Sequence, residues 1–227
     1  MTTYVLVHGA WHGAWCWRDV AEALRAAGHR VHLPTLTGLG ERVHLYSPEI
    51  GLRTHVDDIV NLLRYEDLRD VVLVGHSYAG LVVREAADRE PDRVARLVLL
   101  DAWAGRDGES LHDLAPQRFL DWLDSVTTDG TIPVTPTAMV GVTAPDQVAR
   151  LERLLTPQPR RTFADPTRLT GAVEAIACRA VLCTPSGPMP FPRIAEEFGW
   201  ATTVLDVGHD AMVTAPEELA NILLKEA

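Results

Sequence analysis

The chain has 227 residues, 47% of them hydrophobic, and a formal net charge of −10. That length suits one domain, residues 1–227, with a full core. The acidity argues against nucleic acid, whose phosphates nothing would offset. No apolar run reaches the ~18 residues of a membrane span, and Met1-Thr2-Thr3 leads straight into a strand with no signal-peptide pattern. Cys16, Cys178 and Cys183 are an odd set without zinc spacing. Cys178 and Cys183 would lie too far apart to bridge along an extended strand, so reduced thiols and a cytoplasmic protein are expected.

In chain order, Thr3-Tyr4-Val5-Leu6-Val7 reads as a buried strand, followed by His8-Gly9-Ala10-Trp11-His12-Gly13-Ala14-Trp15. Glycines after a strand let backbone N–H groups face a cavity. The N–H of Ala10, with that of Tyr78, would make an oxyanion hole; the alternative is a plain strand-helix loop with aromatic packing. Trp17 to Ala27 has helical spacing and stops at Gly28. Arg30 to Pro34 is the second strand. Thr54, with Asp57 three residues on, reads as the capping start of a second helix.

Val71-Val72-Leu73-Val74 is a strand buried on both faces. It runs into Gly75-His76-Ser77-Tyr78-Ala79-Gly80 and then a helix. A serine on such a turn, among small neighbours that let strand and helix backbones pass closely, has its oxygen pushed out of the sheet, as in a nucleophile elbow. The competing reading is an ordinary strand-turn-helix junction. Arg96 to Asp101 is the fourth strand, ending in a carboxylate. From about 103 to 166 the prolines scatter and the pieces are short and amphipathic, such as Gln117 to Val126 and Asp146 to Leu155; this is expected to be a helical lid inserted between strands. Arg179 to Cys183 and Ala201 to Val207 complete six strands. Gly208-His209-Asp210 follows, and Thr214-Ala215-Pro216-Glu217 reads as the capping box of the last helix. The alternation predicts an α/β fold: a mostly parallel six-stranded sheet with helices on both faces and the chemistry at the strand C-terminal edge.

The opening Val-Leu-Val-His-Gly-Ala-Trp-His-Gly-Ala-Trp, the Gly-His-Ser-Tyr-Ala-Gly turn and the closing Gly-His-Asp resemble the α/β-hydrolase superfamily. Within it they resemble the branch of plant methylesterases, hydroxynitrile lyases and bacterial esterase relatives. The resemblance covers essentially the whole chain and is weakest in the lid. It implies Ser77 as nucleophile, His209 as general base and acid, and the N–H groups of Ala10 and Tyr78 as oxyanion donors. Hydroxynitrile lyases carry threonine and lysine where this chain has Gly9 and Asp210, which argues against cyanide chemistry. The triad acid of this branch lies just after the strand that here ends at Cys183. The segment Thr184-Pro185-Ser186-Gly187-Pro188-Met189-Pro190 has no carboxylate. Asp101 is the best substitute, as triad acid or as a mere loop-capping residue; Asp206 is a weaker one. A carboxylate placed at Ser186 should partly rescue loss of Asp101. His76 and His12 are expected to order loops.

Three functions fit. The leading one is a carboxylesterase that cleaves an ester of a small, largely apolar molecule through an acyl-enzyme on Ser77, with Trp11 and Trp103 lining the substrate pocket. A lyase or cyclase on the same scaffold would suit a missing acid, and a small-molecule receptor is the third. No cofactor or metal is expected, since no ligand cluster or phosphate loop is present. The expected partner is a small-molecule substrate, with no nucleic acid and no membrane; a homodimer stays open.

Overall fold

A computed structural model describes residues 1–226 apart from 186 and 188. The strands are β1 (Thr3–Val7), β2 (Arg30–His32), β3 (Val71–His76), β4 (Val94–Leu100), β5 (Thr131–Ile132), β6 (Gln158–Pro159), β7 (Ala177–Cys183) and β8 (Ala201–Leu205). The helices are α1 (Arg18–Ala26), α2 (Leu52–Tyr65), α3 (Ala79–Arg89), α4 (Leu111–Leu114), α5 (Gln117–Val126), α6 (Pro145–Leu154), α7 (Arg161–Ala164), α8 (Phe191–Glu197), α9 (Ala211–Thr214) and α10 (Pro216–Leu223). Six strands form one parallel sheet in the order β2-β1-β3-β4-β7-β8. Helices cover both faces, with α1 packed on α10 and α2 on α3. This is the α/β-hydrolase architecture. No described helix is long and apolar enough to cross a membrane.

Burial explains the sheet. All six residues of β3 are buried, as a central parallel strand requires. The edge strand β8 leaves Val204 59% exposed. Register then sets the working edge. Val7 pairs with Gly75, His76 with Leu100, and Leu100 with Val181. The residues that follow these strands, His8, Ser77 and Asp101, therefore emerge side by side. Between β4 and β7 lie α4 to α7 and the two-residue antiparallel ribbon β5–β6, which the prolines and short amphipathic pieces of this stretch did not announce.

Several boundaries differ from expectation. Strand β2 stops at His32 and β8 at Leu205. Helix α2 begins at Leu52 behind Gly51, which makes no side-chain cap, so Thr54 lies inside the helix. The cap of α10 is Ala215, and the Thr214 hydroxyl instead donates to the Asp210 carbonyl. In both cases the preceding chain already folds into a turn, and the hydroxyl spacing alone carries no register. All three cysteines are free.

Candidate active site

Ser77 has φ +53°, an unusual conformation for a residue with a side chain. The turn is held from several sides. The Ser77 N–H donates to the Leu100 carbonyl (3.1 Å), and the Ser77 carbonyl accepts from Gly80 and Trp103 (3.0 Å each). Two glycines make room for it. A Cβ on Gly75 would lie 2.6 Å from Val83 Cγ2, and one on Gly80 would lie 2.1 Å from the Trp103 carbonyl oxygen. Ala79, where the usual pattern has a glycine, is fully buried and tolerated as the first residue of α3.

His209 sits on the loop between β8 and α9. Its Nδ1–H donates to Asp101 Oδ2 at 2.7 Å. Asp101 is fully buried, and its Oδ1 accepts the Cys183 N–H (3.1 Å). Its backbone also takes a positive φ (+44°), with its N–H on the Val181 carbonyl (2.7 Å). The carboxylate is thus braced by β7 on one side and meets His209 from the loop after β8. Asp206 is exposed and meets the Thr184 hydroxyl instead (3.4 Å). Ser186 lies outside the described residues. The ring of Phe191 stacks on His209, nearly parallel at 5.6 Å.

The loop after β1 lies against the elbow: a Cβ on Gly9 would fall 3.0 Å from Ser77 Cβ and 2.8 Å from His76 Nδ1. Ala10 and Tyr78 are both buried. Among the described residues, neither backbone N–H has a protein acceptor. His8 orders the loop as a neutral ring. Its Nδ1–H donates to the Gly9 carbonyl (2.9 Å), and its Nε2 accepts the Leu36 N–H (3.0 Å). Burial holds its pKa down at about 3.

Near Ser77 and His209 is a second histidine–carboxylate pair. His12 Nε2–H donates to Asp210 Oδ2 (3.0 Å) and its Nδ1–H to the Ala10 carbonyl (2.8 Å), with both residues buried. Burial alone would lower the His12 pKa. The charge of Asp210 and these hydrogen bonds overcome that and raise it. Burial alone would raise the pKa of Asp210, and His12 brings it down instead. His76 donates from Nε2 to the His209 carbonyl (3.1 Å), and burial, reinforced by His209, keeps its pKa well below the usual range. His76, His209 and Asp210 each bring a donor atom within 4.8 Å of the others, the one grouping among the described residues that could hold a metal ion. Two of its nitrogens are already engaged, His209 Nδ1 by Asp101 and His76 Nε2 by the His209 carbonyl.

Ser77 and His209 open into a cavity of about 670 Å³. Trp11 and Trp103 line it. So do Phe119 and Trp122 of α5, Phe191 of α8, and Arg118, none of which sequence reasoning found. Phe119 stacks between Trp103 (6.4 Å) and Trp122 (5.6 Å). The Phe119/Trp122 spacing along α5 is the one signal that could have suggested this wall. Trp15 and Trp17 are buried and do not line it.

A parallel sheet with a strained serine turn, a histidine–carboxylate pair and a lid over an apolar cavity is the architecture of α/β hydrolases. The sequence matches the alpha/beta hydrolase family model over residues 4–222, and the chain belongs to that family. It is 39% identical to the carbendazim hydrolyzing esterase of Nocardioides sp. (strain SG-4G), over 98% of both chains. It is 38% identical over 102 residues to methylesterase 2 of Arabidopsis thaliana, covering 44% of this chain and 39% of that protein. In structure it is similar to an extracellular alpha/beta-hydrolase from a Paenibacillus species (TM-score 0.89, 24% identity, 99% and 98% of the chains covered). It is likewise similar to the Arabidopsis methylesterase MES16 (TM-score 0.82, 24% identity, 100% and 98% covered). At those identities the structures speak for the fold.

Proposed function

We propose that the chain is a serine carboxylesterase acting through an acyl-enzyme on Ser77, on esters of small, largely apolar molecules. Carboxylester hydrolysis as such rests on the family and on the esterase relative that matches along its whole length. The serine route and the substrate class rest on the site. Ser77 Oγ attacks the ester carbonyl carbon while His209 Nε2 takes its proton. The Ala10 and Tyr78 N–H groups face the resulting oxyanion. The C–O bond then breaks, and the leaving alcohol carries off the proton held by His209. Water repeats the sequence on the acyl-enzyme and releases the acid. The observation that carries this reading is the 2.7 Å contact between His209 Nδ1 and Asp101 Oδ2 beside a serine held at φ +53°. With a carboxylate on His209, the ground for preferring a lyase or cyclase, a histidine lacking its acid, falls away.

A fluorophosphonate probe should label the protein at Ser77, found by peptide mapping. Ser77→Ala should abolish labelling and lower ester hydrolysis about 10³-fold or more. Wild-type turnover by Ser77→Ala would refute the covalent route.

A further inference from the structure

The Ala10–Trp11 peptide beside Ser77 is gripped at both ends. Its carbonyl accepts from His12 Nδ1–H (2.8 Å), and its N–H donates to Gln158 Oε1 (3.0 Å). Gln158 comes from β6, inside the lid, 147 residues away in sequence. Both gripping side chains are almost fully buried. The neighbouring groups are also taken: the Gly9 carbonyl by His8 (2.9 Å) and the Trp11 carbonyl by the Thr156 N–H (2.8 Å). Among the described residues, the Ala10 N–H has no protein acceptor, nor do the N–H groups of Gly9, His12 and Gly13. Trp11 meanwhile has φ +65°, a strained conformation for a side chain of its size. Such a conformation persists only when its surroundings over-determine it.

We infer that Gln158 is a positioning residue for ester hydrolysis: with His12 it holds the Ala10–Trp11 peptide so that the Ala10 N–H stays aimed at the oxyanion, and the lid thereby completes the oxyanion hole. The inference rests on the acyl-enzyme reading above. Gln158 is itself fixed. Its Nε2–H donates to Thr162 Oγ1 (2.7 Å), and that hydroxyl donates to the Pro159 carbonyl (2.6 Å). Thr162, at the start of α7, is fully buried. Each polar atom in this chain of contacts has a partner, which is how a buried polar network gains rigidity. Loss of the Gln158 acceptor would leave the Trp11 N–H a buried orphan. The Ala10–Trp11 peptide could then turn to relieve the strained φ and drag the Ala10 Cα out of place; the Ala10 N–H, on the Gly9–Ala10 peptide that His8 holds from the other side, would shift with that Cα. Ground-state substrate does not need that N–H as the transition state does, so the cost falls on kcat.

The test is Gln158→Met, which keeps length and bulk and removes the acceptor. Steady-state hydrolysis of a p-nitrophenyl ester should show kcat down about 10–100-fold with KM within about twofold. Inhibition by a trifluoromethyl ketone, which forms an oxyanion on Ser77, should weaken by the same factor as kcat/KM, while binding of the plain methyl ketone should not change. A folded Gln158→Met with unchanged kcat, or with a loss confined to KM, overturns the inference. If Gln158→Met does not fold, Thr162→Val, which frees Gln158 without touching the loop, is read by the same criteria. Fluorophosphonate labelling of the wild type separates the two levels. Labelling with unchanged variant kinetics removes the positioning role alone, whereas an unlabelled wild type removes the serine mechanism and the inference with it.

Discussion

Trp11, Ser77 and Asp101 are three of the six non-glycine residues with positive φ among the described residues, and all three stand just past the C-terminal ends of sheet strands. Each such residue costs on the order of 1–3 kcal/mol, and that strain falls where the proposed mechanism needs its oxyanion loop, nucleophile and acid. Asp101 bears the sharpest test. Its two oxygens accept from His209 Nδ1 and the Cys183 N–H, so Asp101→Asn must turn an NH₂ towards one of these donors. Against His209 it would favour the tautomer with the proton on Nε2, which cannot take one from Ser77. We expect a loss of up to ~10⁴ in kcat with a melting temperature close to wild type. Unchanged kinetics would strip Asp101 of its role.

At the scale of elements, backbone contact positions the groups. Gly208, next to His209, packs on Gly141 of the lid: a Cβ on Gly208 would lie 2.7 Å from Gly141 Cα. The Asp210 N–H also donates to the Val140 carbonyl (3.1 Å). The lid is therefore fastened to the histidine loop. Gly208→Ala should push them apart and cut the rate of fluorophosphonate labelling at Ser77 at least tenfold, while far-ultraviolet circular dichroism stays native. Gly80→Ala strikes a tighter point, between α3 and the chain after β4. Overpacking of this kind costs about 1–3 kcal/mol, readable as a lower urea midpoint; equal stability would mean that the backbone yields there more easily than its contacts suggest.

For the whole molecule, buried histidines set the acid limit. His8 has a folded pKa of about 3 against 6.5 when unfolded. Between those values the unfolded chain holds a proton that the native state refuses, so stability is full above about pH 6.5 and falls as pH drops towards 3. One such proton corresponds to about 1.4 kcal/mol per pH unit. His76 and His55, also lowered first of all by burial, act in the same direction. His12, with its raised pKa, acts oppositely: its contribution is present below pH 6.5 and is lost as pH rises through its folded value. Urea titrations from pH 4 to 7 should show a rising midpoint with pH and a shallower slope for His8→Asn. An identical slope would mean that His8 is not the proton acceptor.

Much of this molecule follows from local pattern. Apolar, mostly β-branched runs such as Val71–Val74 read as buried strands, small residues around Ser77 make room for a tight turn, and alternation of strand and helix leads to a parallel sheet with one functional edge. Those features depend on residues within a few positions of each other. The partner of His209 does not. Asp101 is 108 residues away, and its reach depends on β4 lying beside β7, which in turn lies beside β8, with the carboxylate braced by the N–H of Cys183. Gln158 is less legible still, because a glutamine in a proline-rich stretch has no periodicity to betray it. Its role exists only once the lid has folded back over the loop after β1. The aromatic wall of Phe119 and Trp122 and the true caps of α2 and α10 are of the same kind. They are decided by which surfaces meet, and tertiary packing overrides the short-range preferences of hydroxyls and rings.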